Sequence, residues 1–595
     1  MSYRNLGQLF HERVERYRDR PAYYVRRGDR WQPLTWAEWS EQARAFGQAL
    51  LARGLGPGES VAILMGNRPE WPVSDVGTML AGGVTVGIYP TSSAEQCRYI
   101  IAHSDARFVL VDTPTQWEKI ARVRSELPQV RLIITVEDVA GGAEGVVSFD
   151  RFLDVGRAHR EAVAPILDER SRRATLDDIV MMVYTSGTTG LPKGACLSHR
   201  YVLNSVLSLN EVIPLSDSDV SLSYLPYCHV AERISGLYNR MYAGVTAYLV
   251  EDLAKFWDYV AEVRPTIFAS VPRFYEKAYA RILADLEAAR SEEKERIHRA
   301  LRIGRQISAL QQARQPIPDD LRRAYEEAER TVFPQLRRYL GGRVRYATSG
   351  GAALHRSLEE FFAAIGLPIL QAYGLTENVC VAFNRPDHYK FGTVGPPMPG
   401  CEVRIAPDGE ILVRSEMMFS GYYKEPDKTA EVVIEGWLHT GDLGALDEEG
   451  FLTITGRKKE IIVTSTGKNI APILLENMLK EHPLISQAMV YGEGKSYLVA
   501  LLTLNVAEAL DYARAHHIPA TSLSELAHHP AIVRLVQEIV DRVNARVSST
   551  EAIRRFAILE RDFTIEEDEL TPTMKVKRSV VAERYRDVLE QLYRE

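Results

Sequence analysis

The stretch Tyr184-Thr185-Ser186-Gly187-Thr188-Thr189-Gly190-Leu191-Pro192-Lys193-Gly194 follows the apolar run 179–183, so a buried strand feeds directly into a loop of glycines, hydroxyls and one lysine. Glycines let a backbone turn its amides toward an anion, hydroxyls add donors, and Lys193 adds positive charge. The loop is therefore suited to holding phosphate. It is not a Walker loop, because Pro192 stands where that motif requires a glycine before its lysine. A flexible surface turn is the alternative, and the buried strand ahead of the loop argues against it.

Working outward, short apolar runs at 61–64, 84–88, 108–111 and 132–136 are bounded by Gly, Asp or Pro and separated by helical patterns. This alternation predicts βαβ units and a largely parallel sheet. Thr35-Trp36-Ala37-Glu38 reads as a capping box that opens a helix, and Gly54, Gly56, Pro57 and Gly58 end it. A chain of 595 residues exceeds what one core usually serves. The expectation is an α/β fold with a large N-terminal domain of βαβ-type sheets and a β-barrel-like subdomain, followed by a small mobile α+β C-terminal domain. The boundary is placed at Arg457-Lys458-Lys459-Glu460, giving a large domain over 1–457 and a small one over 458–595. Within the first, 276–340 reads as a helical insertion with apolar Ile303, Ile307 and Leu310, broken by Pro316 and Pro318. Its arginines alternate with glutamates, which favours a solvated helix face over peripheral contact with a membrane.

The composition, 46% hydrophobic and 25% charged with a net charge of -7, gives no sign of a nucleic-acid partner. The N-terminus lacks the apolar stretch of a signal peptide, and there is no run of about 18 apolar residues to span a bilayer. A cytoplasmic protein is expected. Cys97, Cys196, Cys228, Cys380 and Cys401 are scattered, which speaks against a disulfide framework. The pairs His516-His517 and His528-His529 lack zinc-ligand spacing and read as solvent-facing helix residues.

Further motifs follow the loop in series: Tyr224-Leu225-Pro226-Tyr227-Cys228-His229, Ser349-Gly350-Gly351-Ala352-Ala353-Leu354, Tyr373-Gly374-Leu375-Thr376-Glu377-Asn378, Trp437-Leu438-His439-Thr440-Gly441-Asp442, Gly456-Arg457-Lys458-Lys459-Glu460 and Pro572-Thr573-Met574-Lys575. In type and order this set resembles the adenylate-forming (AMP-binding) superfamily of acyl-CoA synthetases, luciferases and peptide-synthetase adenylation domains. The stretch 234–250, followed by Phe256, Trp257 and the helical insertion, resembles the long-chain and bubblegum-type branch of acyl-CoA synthetases.

The resemblance implies a role for each motif. Thr185, Ser186, Gly187, Thr188, Thr189, Gly190 and Lys193 would cradle the phosphates of ATP, with Thr185 and Glu377 on Mg²⁺. Tyr373 and Gly374 would lie against adenine, together with Gly350, Gly351 and Ala352, while Thr376 would reach the α-phosphate. Asp442 and Arg457 would hold the ribose. Lys575 would offset the repulsion when a carboxylate attacks the α-phosphorus. His229 would position the carboxylate. A Cys228-His229 nucleophilic dyad is disfavoured, since neighbours on an extended segment point to opposite faces. Lys459 falls at the family's hinge, and 464–472 resembles the segment that enters the site after the hinge turns, with Gly467 leaving room for the pantetheine of CoA.

No acidic residue follows Tyr227 until Glu232, which disfavours amino-acid substrates. A fatty-acyl tunnel is expected along 234–250, with ordinary core as the alternative reading for those residues. The aromatic gate residue of some long-chain members is not found there. The implied reaction makes an acyl-adenylate and then an acyl-CoA. The rivals are a ligase that serves an acyl carrier protein and a non-catalytic nucleotide or lipid binder.

Overall fold

A computed structural model describes residues 3–139, 144–185, 191–465, 468–519, 522–565, 567–571 and 575–594. Among these residues the largest units are two α/β sheets. One has seven strands in the order Val146–Ser148, Leu132–Thr135, Phe108–Val111, Ser60–Leu64, Val84–Ile88, Ile179–Thr185 and Lys193–Ser198. All neighbours are parallel except the last pair, which is antiparallel. Every residue of Ser60–Leu64, Val84–Ile88 and Phe108–Val111 is buried, because helices cover both faces of such a sheet.

The second sheet has eight strands in the order Asn378–Phe383, Ile369–Leu375, Tyr346–Ser349, Ile267–Ser270, Val220–Ser223, Thr246–Leu249, Pro21–Arg27 and Arg30–Thr35. Its centre is parallel and both edge pairs are antiparallel. Ser270 and Ser349 end their strands level with Gln371 of the third, at one carboxyl edge. Ligands gather at such edges in α/β sheets. A separate antiparallel sheet is built from Cys401–Ile405, Glu410–Ser415, Val433–Ile434, Trp437–Leu446 and Leu452–Arg457. Beyond Arg457, the strands Ile485–Tyr491, Leu498–Leu504 and Ile553–Ile558 form a further sheet. Its own core joins Leu498, Ala500 and Leu502 to Ile532, Val536 and Ile539 of the helix Pro530–Asn544.

The stretch 276–340 lies within the helices Pro272–Ala288, Ser291–Gln312, Asp319–Thr331 and Phe333–Arg337 and a final turn Arg338–Leu340. Ile307 is buried there, whereas Ile303 and Leu310 are only half-buried; Ile297, Leu301 and Gly304 complete the buried stripe. Gly304 is required by packing, since a Cβ would come within 2.0 Å of the Ala364 carbonyl oxygen. The histidine pairs sit at helix ends: His516 follows Val506–Ala515, and His529 caps Pro530–Asn544.

His199, the first residue of the helix His199–Val212, is buried, and its Nδ1 accepts the Leu6 N–H at 3.2 Å. Burial pushes its pKa down to about 4, against a small upward pull from Asp178. The unfolded chain therefore takes up this proton first as the pH falls. The contribution is complete above about pH 6.5 and is lost progressively toward pH 4, amounting to about 3 kcal/mol. We expect His199→Asn to flatten the pH dependence of the urea midpoint between pH 7 and 4.5; a slope equal to that of the parent chain would refute this.

Candidate active site

Thr185 ends its strand directly opposite Lys193, and the two antiparallel strands lie at the sheet edge. Ser186, Gly187, Thr188, Thr189 and Gly190 lie outside the described residues. The Lys193 ammonium sits over the Tyr422 ring, 4.1 Å from its centroid, and the Tyr422 hydroxyl donates to the Glu377 carboxylate. Burial lowers the Lys193 pKa, Glu377 draws it back up, and Lys428 and Lys459 push it down again. The Thr376-Glu377 turn is braced from below. Tyr201 Oη donates to the Thr376 carbonyl at 3.0 Å and accepts from the Val379 N–H at 3.1 Å, and the Phe419 N–H donates to the Glu377 carbonyl at 2.8 Å. Gly374 is forced by the same turn, where a Cβ would fall 2.0 Å from the Val379 carbonyl oxygen.

Gly350, Gly351 and Ala352 leave the strand Tyr346–Ser349 beside the strand that carries Tyr373. Gly351 has a φ of +80°, and a Cβ at Gly350 would meet nothing nearer than 3.6 Å, so this wall is open on one side. Tyr373 Oη donates to Asp442 Oδ2 at 2.6 Å, and Arg457 Nε donates to Asp442 Oδ1 at 2.7 Å. The strand register places Asp442 opposite Arg457. Burial would lower the Arg457 pKa, but Asp442 outweighs it and raises it. A carboxylate offers about four acceptor positions, so Asp442 keeps capacity for two hydroxyls of a sugar.

His229 stands in a turn, not an extended segment: its N–H donates to the Pro226 carbonyl at 2.9 Å, and its Nδ1 accepts the Ala231 N–H at 3.1 Å. Cys228 is driven inward against Gly87, where a Cβ would lie 2.7 Å from the Cys228 Cα. Burial, then repulsion from Lys575, holds His229 down to about 4, so the ring is neutral at ordinary pH with its proton on Nε2. The Lys575 amine is likewise depressed, by desolvation in the cleft and then by Arg457, while Asp442 and Glu460 draw it partway back. Lys575 thus shares one electrostatic environment with His229, Asp442 and Arg457. Lys459 lies in the turn Lys458–Glu460, and its neighbour Lys458 is fastened to Asp408 at 2.6 Å and Glu410 at 3.0 Å. Gly467 lies outside the described residues, as do 572–574.

Tyr422 was not among the sequence candidates. The pattern Ser420-Gly421-Tyr422-Tyr423 was its only trace; Gly421 takes a φ of +122°, which few other residues adopt, and so brings the ring between Lys193 and Glu377. In the stretch 234–250 several of the residues read as a tunnel wall or as core are fully buried. Ile234, Leu237, Tyr238 and Met241 are packed into the core with no more than 1% exposure, as the alternative reading of these residues had it. Two ion pairs fix this stretch: Arg233 with Asp75, both at 0% side-chain exposure, and Arg240 with Glu232 at 2.7 Å. Tyr238 Oη donates to Asp75 Oδ2 at 3.0 Å, and Arg233 also lies 4.6 Å over the Trp71 ring. These contacts wind Glu232–Tyr238 as a π-helix. Phe256 instead joins Tyr224, Trp257 and Phe274 in an aromatic cluster next to the His229 turn, with centroids 4.5 to 5.0 Å from its own.

The geometry gathers a lysine-bearing hairpin, a glycine wall, a braced carboxylate, a carboxylate-guanidinium pair and a second lysine around one cleft. Among known proteins, the family described as AMP-binding enzyme matches residues 10–423, and the AMP-binding enzyme C-terminal domain matches 459–595. Long-chain-fatty-acid--CoA ligase FadD15 of Mycobacterium bovis is 38% identical over 97% of this chain and 96% of its own. Long-chain-fatty-acid--CoA ligase ACSBG2 of Xenopus laevis is 33% identical over 99% and 84%, respectively. The crystal structure of the anthranilate CoA ligase AuaEII in complex with anthranoyl-AMP shares the fold, with a TM-score of 0.74 at 21% identity over 99% of this chain and 98% of that one. The chain belongs to the AMP-binding enzyme family.

Proposed function

We propose that the protein is an AMP-forming long-chain fatty acid--CoA ligase. In its first step a carboxylate oxygen attacks the α-phosphorus of ATP and displaces pyrophosphate, leaving an acyl-adenylate. In the second, the CoA thiolate attacks the acyl carbonyl carbon and AMP departs. The main support is the meeting of Lys575 with His229, Asp442 and Arg457 in one cleft, in a chain whose full-length relatives bear that name.

The residues take the following roles. Lys193 and the hairpin hold the β- and γ-phosphates, and the neutral His229 orients the acid without adding charge. Asp442 and Arg457 grip the ribose while Tyr373 and the Gly350-Gly351-Ala352 wall enclose adenine. Among the described residues no group of three or more His, Cys, Asp or Glu could hold a metal. The donors present, Glu377 with Thr185, fit a hard cation that keeps most of its ligands as water and phosphate, as Mg²⁺ does. When bound, Mg²⁺ would neutralise phosphate charge. We assign 1–457 as the large domain and 458–595 as the small one turning on Lys459, with Gly467 entering the site after the turn. Among the described residues no helix is long and apolar enough to cross a membrane. A cytoplasmic site of action, with at most peripheral membrane contact, accords with this reading.

The test is incubation of the purified protein with MgATP, CoA and carboxylic acids of graded length, followed by mass spectrometry of the products. AMP with long-chain acyl-CoA is expected. Adenylate without acyl-CoA would transfer the role to a carrier-protein ligase, and absence of both would leave a binder.

A further inference from the structure

His355 directly follows the Gly350-Gly351-Ala352-Ala353-Leu354 wall and caps the helix Arg356–Ala364. Its Nδ1 accepts the Ser357 N–H at 3.2 Å, which leaves the proton on Nε2. Nε2 meets the carboxylate of Glu481, 126 positions further on and just past the helix Pro472–Leu479 of the C-terminal segment. The side chains of His355 and Glu481 are only 22% and 24% exposed. Arg546 holds both Glu481 oxygens at 2.8 Å from the other side. Burial would raise the Glu481 carboxyl, but His355 and Arg546 outweigh it and keep it low. The Glu276 carboxyl nearby is pushed up by burial, and the charges of Lys480, Arg273 and His355 draw it back.

Each end of this contact leads to the cleft. On one side the Leu354 N–H donates to Gln371 Oε1 at 2.8 Å, two residues before Tyr373. On the other, Arg578, three residues after Lys575, pairs with Glu476 on the helix that precedes Glu481 and donates to the Val490 carbonyl at 3.1 Å. Glu481 and Arg578, three residues after Lys575, are thus tied to the same helix.

We propose that His355 and Glu481 form a latch that holds the C-terminal segment where Lys575 reaches the cleft, making His355 a positioning residue for acyl-adenylate formation and not for the thioester step. This rests on the ligase reading above. A hydrogen bond to a charged, half-buried partner sets the scale of the effect.

We expect His355→Ala to lower acid-dependent exchange of pyrophosphate into ATP by about tenfold. Thioester formation from supplied acyl-AMP and CoA should hold or rise, although the lost helix cap lowers the melting temperature slightly. His355→Gln, which keeps an N–H donor, should recover most of the exchange, and Glu481→Gln should show the same split more weakly. Equal losses in both half-reactions, or no loss in either, would overturn the latch alone. Failure of the parent chain to form any acyl-AMP would overturn the ligase reading and the latch together.

Discussion

Lys575→Ala should lower acid-dependent pyrophosphate exchange by roughly 10²- to 10³-fold, while acyl-CoA formation from supplied acyl-AMP stays within about twofold. In the first step a carboxylate and a phosphate approach each other, and the Lys575 ammonium, close to His229, Arg457 and Asp442, is the cation assigned to offset that repulsion. The second step breaks a mixed anhydride with a thiolate and has no such repulsion to offset. The depressed pKa of Lys575 adds a pH signature. As pH rises, this amine loses its proton earlier than an ordinary lysine would, so adenylation should decline on the alkaline side before the thioester step does. Parallel pH profiles for the two half-reactions, or equal losses in both on substitution, would remove Lys575 from the role assigned to it.

Glu377→Gln is the second large effect, with a fall of about a hundredfold in exchange and a higher Mg²⁺ concentration at half-maximal rate. The amide keeps the size of the side chain and removes its charge. Tyr422→Phe should cost about tenfold, because it deletes the hydroxyl that fixes the carboxylate yet leaves the ring beneath Lys193. Mg²⁺ titrations of the exchange reaction distinguish the two. An unaltered Mg²⁺ dependence in Glu377→Gln would mean that this carboxylate does not face the metal.

The parallel sheet was legible because its strands are continuous apolar runs between turn residues. The runs at 84–88 and 108–111 coincide with Val84–Ile88 and Phe108–Val111, and the capping box at Thr35 forms both of its hydrogen bonds with Glu38. Pairing across long separations was not legible. Nothing local in Pro21–Arg27 announces that it lies beside Thr246–Leu249 in the second sheet. The motif residues were picked out through their resemblance in type and order to a known family, and among them the structure joins Tyr373, Asp442 and Arg457 by hydrogen bonds. Tyr422 and His355 could not be picked out, since each acts through a partner distant in the chain, and an aromatic or a histidine in isolation has no such signature. The stretch 234–250 was ambiguous for a related reason. Its small and apolar residues suit a tunnel wall and a packed core equally well, and the buried pair of Arg233 and Asp75 beside it carries no sequence signature that joins the two residues.

Those charges also make that part of the protein a poor place to redesign. Removing either member of a fully buried pair strands the other in a medium that solvates it badly, at about 3–5 kcal/mol, a large fraction of the stability of most domains. A mutant library drawn across 232–240 would therefore consist mostly of chains that fail to accumulate, whatever acid they were meant to accept. The aromatic cluster of Tyr224, Phe256, Trp257 and Phe274 carries no such ion pair and borders the same turn. Substitutions there disturb packing without stranding a buried charge.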